Sequence, residues 1–363
     1  MRLATRVACR LCLCNSLALL RPGVRARSDL PPLVYHERYS IPGWPERHRF
    51  PMGKFGDLAA ELVRAGDATR ADFLTPSAPA PAQLALVHAR AYTEQLVARA
   101  LPPAAARKTG FAGEFDARLV ERTLLEVGGT LLTARLALER GLACNLAGGT
   151  HHAHRAHGAG YCLINDLAVA AAAARAGALP PRPDAARASA IAPLARVAIV
   201  DLDVHQGDGT ASIFADDPSV LTVSVHAASN YPFEKAASDL DVALPDGVGD
   251  DEYVAALERD VLPRVRAFAP QLVLYDAGVD VHARDALGRL GLTDAGLAAR
   301  DERVIRWCVD ERLPVACVIG GGYDRDRAAL ARRHASLHRA AIRVWRTTPR
   351  LSQPRGPAVP VVM

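Results

Sequence analysis

Carboxylate and imidazole side chains alternate with apolar ones where Asp201, Asp203 and His205 follow one another at a spacing of two residues. The apolar, β-branched run 197–200 before them is typical of a buried strand, and a glycine-rich turn follows. Alternate side chains of an extended segment share one face, so the three would converge at the strand end. Aspartate and histidine are ligands that zinc accepts. The pattern predicts a metal site, whereas an isolated Asp-x-Asp pair would equally suit a turn.

Three further apolar runs are predicted strands, and each is followed by polar residues that would join this site. Because ligands bind at the carboxyl ends of parallel strands, residues far apart in the sequence would be brought together at one edge of the sheet. The runs 142–147, 272–275 and 315–319 are followed by His151 and His152, by Asp276 and Asp280, and by Gly320, Gly321, Gly322 and Tyr323.

Strand and helix patterns alternate along the chain, which predicts the α/β class. With 363 residues, half of them hydrophobic, the chain is long enough to bury a substantial core. We expect a single-domain parallel β-sheet flanked by helices, with the active site at the C-terminal ends of the strands. Thr293 is a plausible N-cap. The predicted helices are 53–64, 81–99, 115–140, 164–175, 250–268, 293–311 and 328–346.

These motifs, in this order, resemble the histone deacetylase family, which has the arginase/deacetylase fold. Within that family the chain is most similar to the class IV branch and its bacterial relatives. The resemblance spans roughly residues 33–345. It also rests on 33–40 (LVYHERYS), 45–55 (PERHRFPMGKF) and 276–290 (DAGVDVHARDALGRL).

The resemblance implies zinc-dependent hydrolysis of an amide. Asp203, His205 and Asp280 match the zinc ligands, and such a set leaves one coordination position open, as a catalytic zinc requires. His151 and His152 match the tandem catalytic histidines, which would activate the attacking water and protonate the leaving amine, unless one histidine does both. Iron(II) is an alternative metal for this ligand set.

Three more residues complete the catalytic set that the resemblance implies. Asp201 and Asp208 match the carboxylates that orient the first and the second catalytic histidine, respectively. Tyr323 matches the tyrosine whose hydroxyl donates to the developing oxyanion. Since no part is missing, we expect an active enzyme.

The resemblance also implies a tunnel for the acyl-lysine side chain. Its first aromatic wall is more often phenylalanine in the family, so the Tyr161 hydroxyl would make the mouth slightly more polar. A potassium ion is further implied, held by backbone carbonyls and side chains. The residues that match the tunnel are Gly160, Tyr161, Tyr231, Pro232 and Leu287, and those that match the potassium site are Asp201, Asp203, His205 and Ser224.

Two further histidines flank the tandem pair. His154 and His157 are predicted to be surface residues of the loop, because no carboxylate accompanies them locally. Cys162 lies beside the same loop and is predicted to be structural, since a nucleophilic cysteine needs an activating partner of its own.

Arginine-rich sequence at the N-terminus bears on localisation. Six arginines precede the first acidic residue, Asp29, as in an organellar transit peptide, and the apolar stretch 11–20 is too short to span a membrane. Alternatively, Met1 is not the true start. We favour a cytoplasmic enzyme, with a mitochondrial or plastid one as the alternative. The predicted divisions are a basic extension (1–30), a deacetylase domain (31–346) and a proline-rich tail (347–363) that is disordered or extended.

The net charge of +5 derives largely from the N-terminal arginines, so the core is close to neutral. It shows no concentrated basic patch of the kind that binds nucleic acid, and no direct nucleic-acid binding is expected. A basic histone tail would be attracted by acidic surface near the tunnel, although a solvated acidic loop explains the same residues equally well. The candidates are Asp239, Asp241, Asp246, Asp250, Asp251 and Glu252.

The predicted function is zinc-dependent removal of acyl groups, acetyl or longer, from lysine ε-amines of proteins. One alternative is an amidohydrolase of the same fold that acts on small molecules such as acetylated polyamines. Another is a catalytically silent acyl-lysine binding module, against which the intact His151, His152 and Tyr323 argue. A binuclear ureohydrolase is disfavoured because no second Asp-x-Asp pair stands at the ends of the metal-bearing strands. The sequence does not specify the oligomeric state.

Overall fold

The computed structural model describes residues 29–183 and 190–352, so the predicted N-terminal extension lies outside the described residues except for Asp29 and Leu30. One sheet of eight strands forms the centre of this part. The strands are β1 (Leu33–Val34), β2 (Phe73–Leu74), β3 (Leu142–Asn145), β4 (Val197–Asp201), β5 (Val220–Ala227), β6 (Leu240–Leu244), β7 (Val273–Asp276) and β8 (Val315–Val318).

Every pairing in the sheet is parallel, and the strand order is β2-β1-β3-β8-β7-β4-β5-β6. The four strands β3, β8, β7 and β4 are neighbours and are buried at every residue. Parallel strands covered on both faces read as continuous apolar runs, which is why the sequence identified these four. The polar residues that follow them therefore meet at one edge of the sheet.

Helices flank the sheet, and the predicted α/β class with a single parallel sheet is confirmed. Helix α10 packs against α11, α11 against α1, and α5 against α6. None of the helices in the described part of the chain is long and apolar enough to cross a lipid bilayer. The helices are α1 (Lys54–Arg64), α2 (Pro81–Leu84), α3 (Arg90–Val97), α4 (Pro103–Lys108), α5 (Ala117–Arg140), α6 (Asp166–Arg175), α7 (Asp208–Phe214), α8 (Asp250–Ala256), α9 (Leu262–Phe268), α10 (Asp294–Asp310), α11 (Arg327–Arg346) and α12 (Pro349–Ser352).

The predicted continuous helix 81–99 is wrong, because two shorter helices, α2 and α3, replace it. The chain breaks where its polar groups serve distant partners. His88 accepts a hydrogen bond from the Asn165 backbone N–H, and the Ala89 N–H donates to the Arg155 carbonyl. These tertiary contacts override the local helical pattern.

Three helices, α4, α7 and α12, have no counterpart among the predicted helices. Helix α7 begins at Asp208, inside the glycine-rich stretch that was interpreted as a turn. The prediction of a disordered or extended tail is wrong for Pro349–Ser352, which form the short helix α12. Proline is tolerated at the first position of a helix. Leu351 of α12 is buried, which accounts for the helical turn, and residues 353–363 lie outside the described part.

Arg300 of α10 is completely buried and ties together two loops that follow strands. Its guanidinium donates to the Leu202 carbonyl at 3.2 Å and to the Gly278 carbonyl at 2.7 Å. It also donates to the Asp301 carboxylate at 2.9 Å, which accepts a second hydrogen bond from the Tyr275 hydroxyl at 2.7 Å. Each of the two loops carries predicted metal ligands, so this arginine positions the site from behind.

Replacing Arg300 with leucine is expected to lower the free energy of unfolding by about 3–5 kcal/mol, because it leaves a buried carboxylate without its partner. Urea denaturation followed by circular dichroism measures the loss. Arg303→Leu on the same helix is the matched control. Its pair with Glu258 is exposed, so the expected loss is within about 1 kcal/mol. Equal losses in the two variants would contradict the role assigned to Arg300.

Candidate active site

The three predicted zinc ligands converge at the carboxyl ends of β4 and β7. Asp203, His205 and Asp280 are buried, and one potential ligand atom of each lies within 4.8 Å of the others. The Nδ1 atom of His205 is 2.9 Å from Asp203 Oδ1 and 3.2 Å from Asp280 Oδ2. Two carboxylate oxygens and one imidazole nitrogen directed at a common point are a donor set that fits zinc.

Backbone packed tightly around the carboxylates holds this donor set in place. A Cβ atom on Gly321 would lie 2.0 Å from Asp280 Oδ2, and one on Gly278 would lie 2.5 Å from Asp203 Oδ2. The Gly321 N–H donates to Asp203 Oδ2 at 2.6 Å, and the Val204 N–H donates to Asp280 Oδ1 at 2.9 Å. Glycine is required at both positions, and backbone N–H groups orient the two carboxylates.

Charge is concentrated among the three ligands. Burial alone would lower the pKa of His205, but hydrogen bonds to Asp203 and Asp280 outweigh it and raise this pKa to about 10. Burial, and next the neighbouring charge of Asp203, raises the pKa of Asp280 to about 6. The cluster holds more negative charge than a buried site tolerates without a cation, which is the electrostatic condition that a bound metal would relieve.

A pair of histidines lies beside the ligands, and each is bound to its own carboxylate. His151 Nδ1 is 2.6 Å from Asp201, His152 Nδ1 is 2.6 Å from Asp208, and the two Nε2 atoms are 3.1 Å apart. Burial would lower the pKa of His151, but the charges of Asp201 and Asp203 raise it well above its usual value. Burial, followed by the charge of His151, lowers the pKa of His152 to about 4. The two rings therefore favour opposite protonation states.

A cavity of about 550 Å³ leads to these groups. Tyr161 and Tyr231 stand on its walls, and the Tyr231 ring lies edge-on to His152 at 4.9 Å between centroids. Of the predicted tunnel residues, Gly160 and Leu287 also line the cavity, whereas Pro232 lies buried behind it. Tyr161 has φ +65°, a left-handed conformation that costs a non-glycine residue energy and that clusters at functional sites.

Tyr323 lines the same cavity across from the histidines. Its N–H donates to Asp285 Oδ2 at 2.6 Å, and its carbonyl accepts from the Ala286 N–H at 2.8 Å. Burial, and then the negative charges of Asp280 and Asp203, raises the pKa of its hydroxyl well above the usual value. The hydroxyl keeps its proton and can act as a hydrogen-bond donor.

Ser224 is the one residue of the predicted potassium site that is not also predicted for the zinc site or the catalytic set. Ser224 lies opposite Asp201 in the register of β4 and β5 and is buried. Its hydroxyl oxygen is 3.0 Å from His226 Nδ1. The assignment of potassium to these residues stays a prediction.

Residues 48–338 match the histone deacetylase domain. The chain belongs to the histone deacetylase family. The match includes every residue predicted for the catalytic and metal sites. Membership of this family supports a deacetylase activity.

Relatives in several organisms support the assignment. An uncharacterized protein of Picosynechococcus sp. is 46% identical over 314 residues, which cover 86% of this chain and 99% of that protein. Histone deacetylase 2 of Arabidopsis thaliana is 32% identical over 82% of this chain and 75% of its own length. A probable deacetylase of Archaeoglobus fulgidus is 28% identical, with 82% of each chain covered.

A solved structure confirms the fold. The HDA15 HD domain superposes with a TM-score of 0.67 at 24% identity, and the match covers 90% of each chain. The predicted arginase/deacetylase fold, a parallel sheet with helices around it, is therefore confirmed.

His154 lies beside the candidate catalytic pair, and its prediction as a surface residue of the loop is only partly right, since its side chain is 22% exposed and contacts a carboxylate from a distant segment. Its Nε2 atom is 3.2 Å from Asp208 Oδ2, and its Nδ1 atom is 2.7 Å from the Ser212 hydroxyl. Burial would raise the pKa of Asp208, but hydrogen bonds to His152 and His154 lower it below its usual range. The ring of His157 stacks on His154 at 4.5 Å. Asp208 and Ser212 are 54 and 58 residues away, so local sequence gave no signal.

Asp276 was predicted to lie at this edge of the sheet, but the family resemblance implies no role for it. It lies at the end of β7 and is completely buried, and neither carboxylate oxygen has a hydrogen-bond partner within the described residues. With His151 and Asp201 it forms a second group of potential metal ligands. Asp201, however, already binds the Asp203 N–H and His151 Nδ1. This favours one metal rather than the two of the ureohydrolase alternative.

Two buried charged residues complete the deep end of the cavity. The Lys54 ammonium donates to the Gly320 carbonyl at 2.9 Å and lies 6.0 Å from the centre of the Tyr323 ring. Glu126 pairs with Arg122 at 2.5 Å within α5. The signal in the sequence was a lysine in the otherwise apolar start of α1, and it was overlooked.

Replacing Gly321 with alanine is expected to weaken zinc binding about tenfold or more, because the new methyl group would displace the Asp280 carboxylate from its position. Competition with a chromophoric chelator measures the zinc affinity. Gly113→Ala is the matched control, since a Cβ at Gly113 meets nothing within 4 Å. An unchanged affinity in Gly321→Ala would show that Asp280 does not hold the metal.

Proposed function

We propose that this chain removes acyl groups, acetyl or longer, from the ε-amine of lysine in proteins by zinc-dependent hydrolysis. One observation carries the proposal. A complete set of groups for amide hydrolysis lines one cavity or lies directly behind it. The set comprises three zinc-compatible ligands, two histidines each bound to a carboxylate, and a protonated tyrosine. Removal of any one would leave an incomplete site, and none is missing.

Each group has a role that its surroundings support. Bound zinc would supply a Lewis acid to the acyl carbonyl and to the attacking water. His152 has a lowered pKa, so it is neutral near pH 7 and suited to accept a proton from that water. His151 has a raised pKa and is suited to protonate the leaving amine. The Tyr323 hydroxyl is suited to donate to the carbonyl oxygen as negative charge develops there.

The shape of the cavity favours an acylated side chain as the substrate. Two tyrosine rings, Tyr161 and Tyr231, line the cavity together with the polar groups, and such apolar ring faces suit an unbranched methylene chain. Burial of four methylene groups between the rings contributes to binding without any polar partner. A small acylated amine such as acetylputrescine would use the same groups, so the two substrates must be distinguished by experiment.

Replacing Tyr323 with phenylalanine is expected to lower kcat on acyl-lysine peptides by about 10²–10³-fold, because it removes one donor to the oxyanion. Release of acetyl, hexanoyl and myristoyl groups from peptides of identical sequence measures the activity of the zinc-loaded protein. Asp280→Ala is expected to abolish it. Tyr35→Phe, which removes the hydroxyl of a tyrosine that does not line the cavity, is the matched control and should retain wild-type turnover.

Two outcomes would contradict the proposal in different ways. Turnover of acetylputrescine without turnover of any peptide would make the chain a small-molecule amidohydrolase. Binding of acyl-lysine peptides without any turnover by the zinc-loaded wild type would leave the silent binding module.

A further inference from the structure

The exposed charged side chains that line the cavity are all basic. Arg49, Lys108 and Arg289 line its mouth and are exposed, and we call these three residues the basic rim. The acidic residues that line the cavity, Glu126 and Asp203, are both 1% exposed and belong to the interior. A ligand entering the cavity therefore meets positive charge first.

The charges of the basic rim are largely uncompensated. Within the described residues, the side chains of Arg49 and Lys108 form no ion pair. Arg289 lies 3.6 Å from Asp246 and 3.2 Å from the Ser229 hydroxyl, but the side chains of the arginine and the aspartate are 56% and 49% exposed. An ion pair this open to water contributes little and exchanges readily with another carboxylate.

The acidic surface considered near the tunnel does not reach the cavity lining, because none of its six candidate residues lines the cavity. Three of its candidates are engaged elsewhere. Asp239 accepts hydrogen bonds from Thr222, Asp241 accepts from Gln206, and Asp250 accepts from Thr293. These carboxylates stabilise strand and helix ends. A fourth candidate, Asp246, pairs with Arg289 of the basic rim.

Resting on the proposed function, we propose that the basic rim selects acyl-lysines whose neighbouring residues in the substrate are aspartate or glutamate. With the acyl-lysine in the tunnel, an extended peptide spaces its residues by about 3.3–3.6 Å, so the two residues on either side pass over the mouth. Exposed aromatic rings of Phe233 (87%) and Tyr231 (37%) adjoin the rim and offer apolar contact to the stems of those residues. A lysine- and arginine-rich histone tail would be repelled at the same place.

The test compares peptides that differ only in flanking charge. Each carries one acetyl-lysine with two residues on either side, all glutamate, all serine or all lysine. Wild type is expected to show kcat/KM about tenfold higher for the glutamate than for the lysine peptide at low salt, because surface charges steer association and pair weakly. The ratio should fall toward one in 0.5 M salt, where the screening length is only a few ångströms.

Charge reversal of the basic rim, R49E/K108E/R289E, is expected to invert the glutamate-to-lysine ratio. The matched control R264E/R332E/R346E makes the same change in net charge at exposed arginines that do not line the cavity, and its ratio should equal that of wild type. Equal kcat/KM values for the two peptides in wild type would overturn the proposal. So would the same inversion in both triple variants, since net charge rather than the basic rim would then be responsible.

Failure of the proposed deacylase activity can be distinguished from failure of the charge selection. Capped acetyl-lysine amide without flanking residues reports the chemistry alone. If wild type turns over neither this compound nor any peptide, the affinities of the three peptides are measured by fluorescence anisotropy. Tighter binding of the glutamate peptide, inverted only by reversal of the basic rim, would support the selection, and equal affinities would overturn it. Competition by a short oligonucleotide as strong as that by the glutamate peptide would also overturn it, in favour of a general polyanion site.

Discussion

The structure depends on holding several carboxylates together at one edge of a parallel sheet. Asp201, Asp203, Asp276 and Asp280 are each no more than 2% exposed, and such a group of like charges is unstable unless it is neutralised. Several groups in the protein share the neutralisation of these carboxylates. Histidine cations and backbone N–H groups compensate part of the charge, protonation of Asp276 is favoured by its burial, and the ligand cluster that remains negative is the one that fits a metal.

The same constraint explains why the chain approaches itself so closely around the site. Backbone N–H donors must reach carboxylate oxygens, so the loops after β7 and β8 pass within contact of Asp203 and Asp280 and require glycine there. Arg300 holds the loops after β4 and β7 from the opposite side through their carbonyl groups. The sheet edge, the glycines and the buried arginine therefore hold the carboxylates in position together. None of them acts as a reactive group in the cavity.

Much of this support could be predicted from the sequence, because its signals are local. Continuous apolar runs identified the four central strands, and the polar residues directly after them were the candidate ligands. Contacts between distant residues could not be derived in this way. The pairing of His152 with Asp208, 56 residues later, was available only through family resemblance, and that of His154 with the same carboxylate was missed. The helix break near His88 was missed for the same reason, since its partner Asn165 is remote in sequence.

Surface charge was the least predictable property. Clustered acidic residues in the sequence were compatible both with an acidic surface near the tunnel and with a solvated loop, and several of them accept hydrogen bonds from backbone and hydroxyl donors. The rim is instead built from single basic residues contributed by three separate loops or helix ends, each unremarked in its own segment. Reaction chemistry thus resides on the rigid strand ends, whereas recognition resides on loops that can change without disturbing it. For this reason membership of the histone deacetylase family constrains the bond that is cleaved much more than the protein that carries it.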